Sequence, residues 1–334
     1  MRLGFSACGI AEAAPVDAAT ADRYRQWIAC GGHADMHYLE SNTDKRLDPT
    51  LLLPGARSII VVAMNYAPAR RLPENEYQIA DYALGLDYHD VMRSRLQQLA
   101  ASAESLLNAA LKICVDTVPI LERYWAQRAG VGFIGRNHQL IIPGTGSMVF
   151  LGEIVTPAEA DRYDAPIENR CGTCRRCLDA CPTGALRSEE VKVKSEEFAT
   201  ATDSEQKTSV VNNSSRFTLH DALNSRLCLS YQTIENRGPL DPQAADKLGK
   251  TIYGCDRCQL VCPWNRFARP TDVAELQPSE ALLSMTTDKW HTLTVEEYRR
   301  LFRGSAVKRA KYEGLMRNIE AVRHQEANKK TLQK

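Results

Sequence analysis

The sequence predicts an α+β fold in three parts: an α/β-like N-terminal domain, a cysteine-rich module, and a short α-helical C-terminal segment. Three observations carry this. Short β-branched runs alternate with amphipathic helical periods over residues 1–164. Two cysteine stretches of related spacing fall within residues 165–268. Residues 269–334 show helix-start signals and a basic bias. With 334 residues, 44% of them apolar and 25% charged, the chain is long enough to bury a sizeable core.

The elements follow in order. Leu3–Glu12 reads as a short strand, residues 20–40 as helical, and Asp44–Pro49 as a loop. Arg57–Tyr66 (RSIIVVAMNY), bounded by Pro54-Gly55 and Pro68, has the β-branched density of a buried strand. From Asp90 to Leu111, residues Met92, Leu96, Leu99, Ala103, Leu106 and Ala110 recur every three or four positions, one face of a long helix. Lys112–Thr117 predicts a second strand carrying Asp116 at its end. Leu121–Ala129 predicts a helix closed by Gly130 and Gly132. Residues 138–155 pattern as a hairpin, HQLII turning at Pro143–Gly146 into SMVFLGEIV. Within the cysteine module, residues 188–217 are polar, rich in Ser, Thr and Glu, and aperiodic, the signature of a disordered surface insertion. Thr294-Val-Glu-Glu297 is a capping-box pattern that starts a C-terminal helix.

The chemistry concentrates in the cysteines. Cys171, Cys174, Cys177, Cys181 and Pro182 form the C-x2-C-x2-C-x3-C-P run of bacterial ferredoxins, whose fourth Cys ligates the other cluster of a pair. Cys255, Cys258, Cys262 and Pro263 echo it, with Cys228 upstream. The pattern predicts a ferredoxin-like module with two [4Fe–4S] clusters. One is assigned Cys171, Cys174, Cys177 and Cys262, the other Cys181, Cys228, Cys255 and Cys258. Zinc would be satisfied by four thiolates and leaves four without a task. Disulfides would imply a small secreted framework. The remaining Cys8, Cys30 and Cys114 are expected as small buried hydrophobes.

No run of about 18 apolar residues is present, so no membrane span is expected. The N-terminus has neither a hydrophobic signal region nor a twin-Arg motif, which predicts a cytoplasmic protein. Net charge is only +1, yet residues 299–334 carry eleven basic against three acidic residues, a local +8. That asymmetry favours a phosphate-binding surface over a merely solvated face.

Further stretches are shared with one known family. They include Lys45-Arg46-x-Asp48-Pro49 with Leu53-Pro54-Gly55-Ala56-Arg57-Ser58, Asp87-Tyr88-His89-Asp90, Val115-Asp116-Thr117, and Phe150-Leu151-Gly152-Glu153. Arg226-Leu-Cys228-Leu-Ser230-Tyr231 and Tyr253-Gly-Cys255-Asp256-x-Cys258 complete the set. By these the chain resembles the epoxyqueuosine reductases over nearly its whole length. The resemblance implies an N-terminal domain related to the vitamin-B12-processing and reductive dehalogenase folds. It also implies a base-off cobalamin without a protein axial ligand, and Asp116 as proton donor. Arg46, Tyr88, His89, Asp116, Leu140, Leu151, Ser230, Cys255 and Asp256 are the candidate cobalamin contacts. The implied substrate is tRNA with a GUN anticodon carrying epoxyqueuosine, held by Arg237, Lys308, Arg309 and Lys311. The implied reductant is a low-potential carrier of the flavodoxin or ferredoxin type. His37, in Asp35-Met-His37, lacks the Gly of a cobalamin-ligating D-x-H-x-x-G motif and reads as an ordinary helix residue.

Removing an epoxide oxygen consumes two electrons and two protons, and no side chain supplies the electrons. A carboxyl at a strand end, desolvated by a corrin face, would have a raised pKa and serve as acid. Asp116 occupies such an end, although Asp before Thr-Val-Pro could equally cap the next helix. The rival readings are a plain two-cluster electron-transfer protein, a reductive dehalogenase, and a nucleic-acid-binding module with structural clusters.

Overall fold

The computed structural model describes residues 3–107, 109–186 and 223–332, so the polar stretch 188–217 lies outside the described residues. A four-stranded antiparallel sheet organises the N-terminal half. Its strands are β1 (Ala7–Glu12), β2 (Ser58–Asn65), β3 (Lys112–Cys114) and β4 (Val149–Thr156), in the order β1-β2-β4-β3. The β2 sequence shows no apolar–polar alternation because both faces are covered. Ile59, Val61 and Ala63 face a cluster containing Trp125 and Ala126. Val62 and Met64 face Met92 and Leu96.

Three helices cover this sheet or its edge: α1 (Ala18–Ala29), α2 (Tyr88–Leu107) and α3 (Glu122–Arg128). Helix α2 lays Met92 and Leu96, both fully buried, over Gly152 of β4. A Cβ at Gly152 would stand 2.7 Å from Leu96 Cδ1, so glycine is what permits the close approach. Gly9 of β1 is tighter still, since its Cβ would meet the Ala129 carbonyl oxygen at 1.9 Å.

Four expectations need correction. Asp44–Pro49, expected as a loop, is instead a short helix over Thr43–Leu47 followed by a 3-10 turn over Pro49–Leu51. The helix expected over 20–40 stops at Ala29; Gly31 turns at φ +69°, and His37–Leu39 form a separate 3-10 turn. The hairpin expected over 138–155 does not form. Its turn does close, with Ile142 bridged to Gly146, but Leu140–Ile141 pair with Phe133–Ile134 while β4 inserts between β2 and β3. Cys8 is exposed and Cys30 half-buried, leaving only Cys114 as a buried hydrophobe.

The C-terminal segment does not stand apart. Trp290, Phe302, Leu315, Ile319 and Val322 share one core with Tyr77, Leu229, Ile252 and Tyr253. Thr294 makes its capping box with Glu297. The last helix, α4 (Lys311–Leu332), is locked to the cysteine module by Asn318, which donates to the carbonyls of Thr233 (2.8 Å) and Ile252 (2.9 Å). Arg317 donates to the carbonyls of Gln232, Asn236 and Gly238. In the module, helical turns Arg176–Ala180 and Arg257–Leu260 pack together, and Asn224 N–H donates to Ala185 O at 3.0 Å. No helix among the described residues is long and apolar enough to cross a membrane.

Candidate active site

Beyond β3 the chain turns at Asp116, which adopts φ +44°. That region is sparsely used by non-glycine residues other than Asn and Asp, and such strain concentrates at functional sites. The Asp116 N–H donates to Glu122 Oε1 at 2.6 Å. Helix α3 begins at Glu122 with Leu121 in the cap position, so Asp116 is not its cap. Instead Asp116 Oδ2 accepts from Tyr88 O–H (2.6 Å) and His89 Nε2–H (3.0 Å). Both donors converge on one oxygen; Oδ1 accepts no hydrogen bond among the described residues.

Tyr88 and His89 reach Asp116 because Asp87 starts α2 just before them, accepting the His89 backbone N–H at 3.0 Å. The imidazole also donates from Nδ1 to Asp87 Oδ1 at 2.7 Å. Tyr88 is clamped between Phe150, stacked at 4.3 Å, and the His89 ring at 4.0 Å.

The electrostatics follow from this geometry. Burial pulls His89 down, but its bonds to Asp116 and Asp87 prevail and hold its pKa up at about 9. Burial favours the neutral form of Asp116, yet the bonds from His89 and Tyr88 keep its carboxyl below the usual range. Between these two groups the proton rests on His89. Behind them, burial and the Asp116 charge push Glu122 up to about 7. Glu153 of β4 is fully buried with neither carboxyl oxygen partnered, and burial with the charges of Glu122 and Asp116 pushes it well up.

Among the other candidates, Arg46 is buried; one guanidinium nitrogen donates to Tyr38 O at 3.4 Å, while Nε–H has no partner. Tyr38, which the sequence did not single out, is 51% exposed. Its phenol, pushed up to about 12 by burial, feels Glu235, Asp116, Arg309 and Arg46, so these groups share one neighbourhood. The Arg309 guanidinium lies 5.8 Å over its ring. Leu140 is buried, Leu151 partly so, and Ser230 is half-buried two residues from Cys228. Asp256 Oδ2 accepts the Asp81 N–H at 2.5 Å, and burial with the Asp81 charge pushes it up to about 7.

The module's thiols fall into two groups. Cys177 is pushed up by burial and by Cys171 and Cys262, and Cys262 by burial, Cys171 and Cys174. Cys258 is pushed up by burial, Cys255, Cys228 and Cys181. Each group thus draws cysteines from both motifs. In the basic segment Lys308 and Lys311 are exposed, whereas Arg309 is held bidentate by Glu235 at 2.8 Å and Arg237 approaches the same carboxylate at 4.0 Å. His37 lies beside Glu40 Oε1 at 3.0 Å, as His33 does at 2.6 Å.

Comparison with known proteins gives the chain's family. Residues 46–117 match the family model described as epoxyqueuosine reductase QueG, DUF1730; 170–219 and 214–265 match the 4Fe-4S double cluster binding domain. The chain is 35% identical to the epoxyqueuosine reductase of Cellulophaga algicola, over 97% of this chain and 95% of that one. It is 39% identical to that of Synechocystis sp., over 90% and 94%. A crystal structure of epoxyqueuosine reductase with an epoxyqueuosine-modified tRNA-Tyr stem loop superposes with TM-score 0.79 and 29% identity, covering 96% of this chain and 78% of that one. The structure from Streptococcus thermophilus gives 0.78 and 29%, covering 97% and 79%.

Proposed function

Because the chain belongs to the epoxyqueuosine reductase family, we propose that it converts epoxyqueuosine to queuosine at the wobble position of tRNA, the last step of queuosine biosynthesis. The epoxide takes up two electrons and two protons; both carbon–oxygen bonds break, an alkene remains, and the oxygen leaves as water. The observation that carries the reading is the Asp87–His89–Asp116–Tyr88 constellation, joined in one chain to eight thiols in two groups.

The donor set fits two [4Fe–4S] clusters: soft thiolates, in two groups of four, with no disulfide. The assignment is Cys171, Cys174, Cys177 and Cys262 for one and Cys181, Cys228, Cys255 and Cys258 for the other. The site also fits a cobalamin in one testable respect. Arg46 offers a buried, unpartnered Nε–H, which an amide oxygen of a corrin side chain would satisfy. A bound cobalamin would supply the two-electron chemistry that no side chain can. Tyr88, His89, Leu140, Leu151, Ser230, Cys255 and Asp256 are its further candidate contacts.

The protein's own part is the proton. Asp116 takes onto Oδ2 the proton that His89 holds and hands it from that oxygen to the oxyanion made as the ring opens. Lys308, Arg309 and Lys311, with Arg237, hold the phosphates of an anticodon loop whose target base is splayed out. A low-potential carrier in the cytoplasm supplies the electrons.

The test is anaerobic reconstitution with iron, sulfide and cobalamin, turnover on epoxyqueuosine tRNA with a low-potential reductant, and digestion to nucleosides. Loss of one oxygen from the wobble nucleoside is the expected result, abolished in Asp116→Asn with tRNA binding retained. An unchanged nucleoside under full reconstitution overturns the reading.

A further inference from the structure

The cysteine module has a face that this reaction leaves without a role. Cys262 lines an open depression of about 970 Å3 whose walls include Arg71, Arg176, Asp179, Leu260 and Arg266. Neither Asp116, His89, Lys308 nor Arg309 borders it. Arg176 and Arg266 are exposed, as is Arg175 beside them, and no ion pair engages these three among the described residues. Arg71 is held by Asp81, and Asp179 is the acid on the wall. Leu260 is 54% exposed at the edge, and Phe267, 40% exposed, lies under the Arg266 guanidinium at 4.6 Å. Of the five large apolar side chains exposed among the described residues, Leu260 therefore sits at this cationic rim by Cys262, while Phe267, stacked under Arg266, lines the adjoining hollow.

Each feature constrains the partner. Iron–sulfur clusters accept electrons singly, so the donor that meets them is a one-electron carrier. The depression is open to solvent, so a protein surface fits it better than an enclosed small molecule. Three unpaired guanidinium groups attract acid, and exposed Leu and Phe suit a brief encounter with an apolar spot. Exposed apolar groups at a rim mark interaction sites more often than they stand idle.

We propose that this depression is the docking surface for a small, acidic, one-electron carrier protein that reduces the cluster held in part by Cys262. The proposal rests on the functional reading above for the presence of that cluster. Each docked carrier is oxidised by one electron. Two such events supply the two electrons that, with two protons, release the epoxide oxygen as water.

The experiment mixes full-length reconstituted enzyme with an acidic flavodoxin in its hydroquinone form, and follows flavin oxidation by stopped flow over a range of ionic strength. In Arg175→Glu/Arg176→Glu/Arg266→Glu, the second-order rate should fall about tenfold or more at low salt, with the gap closing at high salt. Iron content, reduction by dithionite and tRNA affinity should not change. Should the triple variant lose iron, Arg176→Ala/Arg266→Ala decides the matter, with a several-fold loss expected. Equal rates at low salt overturn the proposal. So does a loss of tRNA affinity with electron transfer intact, which would assign this face to RNA. The readout is cluster reduction, so failure to deoxygenate epoxyqueuosine would count against the functional reading and not against the docking surface.

Discussion

His89→Gln tests the proton economy of the site directly. The imidazole is hydrogen-bonded to carboxylates through both nitrogens, and its pKa rises from 6.5 to about 9. At about 1.4 kcal/mol per pH unit this amounts to about 3 kcal/mol. The Asp116 side chain is 53% exposed, so solvent screening leaves about 1–2 kcal/mol. Because the folded pKa is raised, this stabilisation is complete below about pH 6.5 and is lost as pH climbs through about 9. The same proton serves catalysis. Single-turnover deoxygenation by wild type should hold level through neutral pH and decline with a midpoint near 9. His89→Gln should lower the rate by roughly 10²–10⁴ and abolish that alkaline limb. Asp87→Asn, which removes one of the two carboxylate partners, should shift the limb to lower pH while keeping tRNA affinity. A wild-type rate that stays flat beyond pH 10, or a His89→Gln variant that keeps the limb, would refute the relay.

Other consequences are equally open to measurement. Cys262→Ala should lose the cluster of Cys171, Cys174 and Cys177, about half the iron; loss confined to the Cys255 and Cys258 set would overturn the crossed assignment. Gly9→Ala places a methyl group against an unyielding backbone carbonyl and should lower the melting temperature by several degrees, with a cost of about 3 kcal/mol. Lys308→Gln/Lys311→Gln should flatten the salt dependence of tRNA binding by roughly 0.7–0.9 in logarithmic slope for each phosphate no longer neutralised; an unchanged slope would move the RNA elsewhere. Glu235→Gln should strengthen tRNA binding, since Arg309 is then released from its carboxylate partner.

What the sequence made legible was local. The β2 run and the α2 period through Met92 and Leu96 each report their own burial, although the helix ends at Leu107 and Ala110 is exposed beyond it, and the cysteine spacings report ligand chemistry without need of a fold. The β4 partners were illegible because turn chemistry at Pro143–Gly146 fixes the turn but not the sheet that receives the following strand. The pairing of Asp116 with His89 was illegible for a related reason. Burial was foreseeable from position, whereas the His89 proton arrives from α2, 27 residues away, and it outweighs burial. Tyr38 gave no signal, being one aromatic residue in a stretch that reads as helical until Arg309 is brought over it. Arg309 itself reads as a free tail cation in sequence and as the partner of Glu235 in the fold.

The hydrogen bond from Asn224 to Ala185 has a consequence for engineering. The described residues on either side of the stretch 187–222 are thereby held at one point, and the cost of joining two fixed ends depends only weakly on the length of chain between them. Closing a loop of twice the length costs only about 0.6 kcal/mol more, and halving it gains as little. The module should accept excision of residues 188–217, or a folded cargo in their place, provided the junction still brings Asn224 back to Ala185. That makes this junction a natural port for an affinity handle or a reporter domain, one that leaves the residues of both thiol groups untouched.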